Sequence, residues 1–110
     1  METGYNTKTI AYENRTFLVN MLNFENGIII SITENSQKIG PMLISINSGP
    51  VPSTSTIIPT KSEELFLKLL SQKISLFMKG ICLVTAHFEK PLDSETTKQL
   101  MHEIMGEIQQ

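Results

Sequence analysis

Cys82, His87 and His102 are the soft ligands and candidate nucleophile or base residues of this chain. Cys82 and His87 stand five positions apart in a stretch that reads as a strand. Strand side chains alternate, so the two point to opposite faces and can neither share a metal nor act as nucleophile and base. Cys82 reads as a buried, inert thiol, His87 as a hydrogen-bonded structural residue, and His102 as a solvated residue on the polar side of the last helix. The carboxylates Glu63, Glu64, Glu95, Glu103 and Glu107 fit helix ends and solvent faces rather than a paired acid and base. No glycine-rich loop offers a phosphate cradle. Asn14-Arg15-Thr16 matches a glycosylation acceptor only by chance, since the chain shows no secretion signal. Met101 and Met105, at helical spacing, read as core rather than as an adaptable binding surface. No catalytic, cofactor or metal residue is expected, and an enzyme is not the expected reading.

The elements that would carry these residues are organised around residues 60–89, a long helix running into the most apolar strand. Thr60-Lys61-Ser62-Glu63 has the spacing of a capping box, with Ser62 as a rival cap. Beyond it, Lys68, Ser71, Gln72, Ser75 and Lys79 recur at helical spacing as a solvent stripe. Phe66, Leu67, Leu70, Ile74, Phe77 and Met78 form the opposite, apolar one. Gly80 is the expected left-handed stop. A flanking stripe, Leu65, Leu69 and Leu76, widens the apolar surface and calls for either a neighbouring helix or a partner subunit. Residues 81–88 are nearly continuously apolar, which suits a central strand covered on both faces.

Upstream, residues 9–12, 16–24, 28–33, 42–47 and 53–58 read as strands. Leu18, Leu22 and Phe24 share one face of the second strand while Phe17, Val19 and Met21 share the other, so both faces are substantially apolar. Asn26-Gly27 has the chemistry of a tight hairpin with positive φ. Residues 47–52 read as a surface loop. Downstream, Asp93 or Ser94 caps a final helix whose Thr97, Leu100, Met101, Ile104, Met105 and Ile108 form one face. The expectation is one α+β domain over residues 1–110, in the order βββββαβα: a mostly antiparallel six-stranded sheet, connected as a meander, with two helices on one face.

A net charge of −2, with nine basic residues scattered singly, gives no footprint for nucleic acid and no polybasic membrane patch. The apolar runs are far shorter than the roughly 20 residues of a membrane span. The polar start, Met1 to Asn6, lacks the apolar region of a signal peptide. With one cysteine and no internal disulfide, a cytoplasmic or nuclear location is expected.

The chain resembles the family of proteasome assembly chaperones, chiefly the third and more distantly the fourth. The resembling pieces are Lys8-Thr9 leading into a hairpin that ends at Phe24, the strand from Ile28 to Thr33, and Lys38-Ile39-Gly40 before Met42-Leu43-Ile44-Ser45. They continue with Val51-Pro52-Ser53-Thr54-Ser55 before Ile57-Ile58 and end in helix, apolar strand and helix. The resemblance implies a non-enzymatic chaperone that forms a heterodimer with a second, similarly folded chaperone. The pair would dock on alpha-type subunits and guide construction of the alpha ring of the proteasome core particle, without a cofactor; homodimerisation of the isolated chain stays open. On this reading Leu65, Leu69 and Leu76, or an exposed strand edge, would serve the dimer. The loop Gly49, Pro50, Val51, Pro52, Ser53 and Thr54 would contribute to client contact. The alternatives are a small scaffold subunit of another cytosolic complex and a small enzyme with a site shared between subunits.

Overall fold

The computed structural model describes residues 4–47, 49–60 and 62–109. Met1 to Thr3, Ser48 and Lys61, on which parts of the leader, loop and capping-box expectations rested, lie outside the described residues. Eight elements follow in the expected order: β1 (Gly4–Tyr12), β2 (Arg15–Phe24), β3 (Gly27–Glu34), β4 (Met42–Ile46), β5 (Ser53–Ile58), α1 (Glu64–Met78), β6 (Ile81–His87) and α2 (Ser94–Ile108).

The six strands form one sheet in the order β1-β2-β3-β6-β4-β5. It is mixed, not the expected mostly antiparallel meander, because β6 enters between β3 and β4 and pairs with β3 in parallel. The cause is the connection. Since β4 runs antiparallel to both β5 and β6, β5 and β6 are parallel to each other, and parallel strands need a crossover of the length that α1 supplies. Helix α1 therefore passes over β4, its main strand contact together with β6.

Alternation then sorts the side chains. Phe17, Val19 and Met21 of β2, Ile28, Ile30 and Ile32 of β3, Leu43 of β4, and Cys82, Val84 and Ala86 of β6 form one buried face. Both helices cover it: α1 buries Phe66, Leu67, Leu70 and Ile74, and α2 buries Leu100, Ile104 and Ile108. Met101 and Met105 pack against the edge of this core.

The stripe on α1 is rotated from the expected one. Ser71 and Ser75 are buried, whereas Phe77 is exposed. Small serines let the helix approach β4 closely, and their hydroxyls are satisfied: Ser71 Oγ bonds to Ser45 Oγ at 2.7 Å and also lies 3.1 Å from the Lys68 carbonyl, and Ser75 Oγ donates to the Gln72 carbonyl.

The ends of α1 also differ. Thr60 Oγ1 accepts from the Ser62 and Glu63 amides at 3.4 Å, yet the helix starts only at Glu64, with Glu63 as an N-cap that makes no side-chain capping bond. The left-handed stop is Lys79, φ 55°, not Gly80. Gly80 and Gly27 are instead held to glycine by close packing. A Cβ on Gly80 would collide with the Asn26 carbonyl, and one on Gly27 with the Ile81 carbonyl, where the β2–β3 turn meets the start of β6. Asn26 and Gly27 have no positive φ; their hairpin turns through Glu25 and Asn26, so the glycine serves proximity rather than turn geometry. At α2 the expectation holds: Asp93 is the N-cap and accepts from the Thr96 amide at 2.7 Å.

Candidate functional site

The residues chosen as possible chemistry do not converge. Cys82 lies in the core under α1, with its thiol pushed up to about 12 by burial. His87 is on the other face, at the end of β6, with Nε2 3.4 Å from Glu89 Oε2; among the described residues this nitrogen makes no hydrogen bond, contrary to the structural bond expected of it. His102 is exposed on α2. Among the described residues no three His, Cys, Asp or Glu side chains are grouped to hold a metal ion.

What the sheet does build is a surface. Its second face carries neither helix. At one end the segment 35–41 folds across it: Thr85 Oγ1 exchanges hydrogen bonds with the backbone of Gly40, the Ala86 amide donates to the Pro41 carbonyl, and Asn20 reaches Gln37. Thr33 and Thr85 are buried there. At the other end nothing among the described residues lies on the sheet. Leu22 of β2 pairs with Ile29 of β3, Ile29 with Leu83 of β6, and Leu83 with Ile44 of β4, so four aliphatic side chains form a row across four strands. Phe24, Ile81 and Ile46 form a second row beside it. Leu22, Phe24, Ile29 and Ile46 are each about 40% exposed. Tyr5 of β1 extends the first row, and its hydroxyl donates to Asn20 Oδ1 at 2.8 Å.

This band corrects the expectation that β6 is covered on both faces. It is central in the sheet, but its Leu83 side is open. The band was not singled out from the sequence, although its signal was present in the doubly apolar pattern of β2. What was missing was the order of strands, which turns separate residues on β2, β3, β6 and β4 into a continuous row.

Leu65, Leu69 and Leu76, the stripe expected to meet a partner, are exposed by 69%, 43% and 49%. Leu65 and Leu69 open onto a groove of about 430 Å³ between α1 and α2, with Phe66, Leu92, Thr97 and Met101. Gly49 to Pro52 form an exposed loop at the end of the sheet where the apolar band lies, with Val51 70% exposed, and Ser53 and Thr54 begin β5.

One buried ion pair braces the sheet against the start of α2. Arg15 Nε and Nη2 donate to both carboxylate oxygens of Glu34, at 2.8 and 2.6 Å. The same guanidinium donates to the Lys90 and Pro91 carbonyls, and Glu34 accepts from the Glu89 amide. The Arg15 hydrogen bond, with its positive charge, holds the Glu34 carboxyl below the usual carboxylate range.

No family model and no curated protein matches the sequence. A solved structure does match the fold: a chain in the crystal structure of a chaperone complex for yeast 20S proteasome assembly. The two chains share one fold. The correspondence covers 98% of this chain and 99% of that one, with a TM-score of 0.64 and 11% sequence identity. It bears out the resemblance seen in the order of elements, as a likeness of fold.

Proposed function

We propose that this protein is a non-enzymatic assembly chaperone that pairs with a related chaperone and promotes alpha-ring formation of the proteasome core particle. The observation that supports it most is the end-to-end agreement of fold with a chain of a proteasome assembly chaperone complex. On this reading residues 1–110 act as one domain, in the cytoplasm or the nucleus.

The apolar band on the open sheet face supplies a physical means of pairing. Two such faces can stack about 10 Å apart and bury their aliphatic rows against each other. Its apolar centre and polar surround, with Tyr5, Thr7 and Asn20 at one side, have the composition of an interface core and rim. Leu65, Leu69 and Leu76 form the rival pairing surface, the first two opening onto the groove between α1 and α2. The loop from Gly49 to Thr54 is offered to the client.

The test is to recover the tagged protein gently from its own cells and identify its companions by mass spectrometry. Alpha-type proteasome subunits together with one small chaperone, in the absence of mature proteasome, are the expected result. Recovery of an unrelated complex would favour the scaffold reading and end this one.

A further inference from the structure

The outer edge of β5 is the least defended stretch of backbone in the sheet. Native edges are usually protected by charge, an internal proline or a covering element. The opposite edge, β1, carries Lys8, which lies 3.4 Å from Glu103 and 3.7 Å from Glu107 of α2. β5 has neither charge nor internal proline, and no Asp, Glu, Lys, Arg or His occurs anywhere in residues 39–60. Its ladder with β4 shifts register at Ile57, which has no partner there, so the regular edge is Ser53–Thr56. Among the described residues its backbone bonds only to β4. Ser55, Thr56, Ile57 and Ile58 are exposed.

This edge is nevertheless fixed in place. Gln72 of α1 donates to Thr54 Oγ1 at 2.9 Å, Thr54 Oγ1 bonds to Ser45 Oγ at 2.9 Å, and Ser45 bonds to the buried Ser71. A free row of backbone donors and acceptors on a braced, β-branched strand is a preformed template for strand addition.

We propose that the β5 edge receives an extended, uncharged segment of the client subunit as an added strand, an inference that rests on the assembly-chaperone reading above. A second copy fits less well. Six residues span about 20 Å, and edge-to-edge pairing over that length falls well short of the roughly 800 Å² per partner of a stable interface. An extended segment instead gains from ladder hydrogen bonds and from alternate side chains. The segment is uncharged because residues 39–60 offer no opposite charge to repay a desolvated ion.

The experiment uses the full-length chain, with individually purified α-type proteasome subunits as probes. Thr56→Lys combined with Ile57→Lys places two charges on exposed positions of the edge. The expected result is a loss of α-subunit capture by about tenfold or more, with pairing to the second chaperone and the melting temperature kept. In the wild-type chain, amide hydrogen exchange over residues 53–58 should slow when the captured subunit is added. Undiminished capture by the double variant, or unchanged exchange over β5 during capture, would overturn the proposal. If the wild-type chain captures no α-type subunit, the assembly reading itself fails and this inference falls with it.

Discussion

Arg15 and Glu34 carry more than their own attraction, because each also satisfies backbone groups in the segment between β6 and α2. Removing one partner strands the other in a buried site, so Glu34→Ala should cost about 3–5 kcal/mol in urea denaturation. The pH dependence has a definite sign. The folded pKa of Glu34 is depressed, so its contribution is complete above the ordinary glutamate value of about 4.3 and is lost as pH falls through the folded value. Asp93, held low chiefly by hydrogen bonding from Thr96, adds to the same acid loss. Wild-type stability should therefore fall in acid, and Glu34→Gln should flatten part of that fall; equal acid profiles would remove the pair from the account. Neither residue stood out in the sequence. Arg15 fell between the expected strands 9–12 and 16–24, and only the pairing of Phe17 with Glu34 in the β2–β3 ladder brings the carboxylate to it. Phe17 itself stacks under the Arg15 guanidinium, 5.2 Å from ring centroid to carbon, and meets Phe88 edge-on at 5.8 Å.

At the scale of elements, α1 is where sequence reading came closest and also slipped. Phe66, Leu67, Leu70 and Ile74 were legible from periodicity and are buried. Ile74→Ala should cost about 2–5 kcal/mol, read as a lowered urea midpoint; an unchanged midpoint would mean the buried face is misassigned. The exchange of Phe77 for Ser71 and Ser75 was not legible, because a serine's preference for water yields when a facing hydroxyl such as Ser45 is available. Helix-end chemistry misled in a similar way. Gly80 has the sequence of a helix stop, yet its need for glycine comes from the Asn26 carbonyl across the sheet. Gly80→Ala is expected to destabilise by about 1–3 kcal/mol through that collision, whereas Lys79→Gly, at a true left-handed position, should be neutral or stabilising. A thermal melt of both variants separates packing from conformation.

For the molecule as a whole, the two-sided reading of the strands was correct in kind and incomplete in consequence. Both faces of the sheet are apolar, but among the described residues there are two helices, and both lie on one face. If the protein pairs with a second chaperone as proposed, Leu22→Lys with Ile29→Glu, an oppositely charged cross-strand pair, should abolish that pairing in a sizing experiment while leaving the melting temperature within a few degrees, since both side chains are already about 40% exposed. Leu65→Asp with Leu69→Asp is expected to leave the pair intact. The opposite outcome would move the interface to the helices. That contrast could not be drawn from sequence, because the apolar band exists only once β6 stands between β3 and β4.

The position of β6 also sets the order in which this protein can be finished. The ribosome makes β1 to β3 and then β4 and β5, yet these two groups of strands touch only through β6, which emerges after both. Until it does, each group has an unpaired edge with no neighbour to close it, and the long-range parallel ladder must form last. The sheet is therefore completed only after β6, the last of its strands in chain order, has been synthesised, and a nascent chain stalled before Ile81 carries two exposed half-sheets.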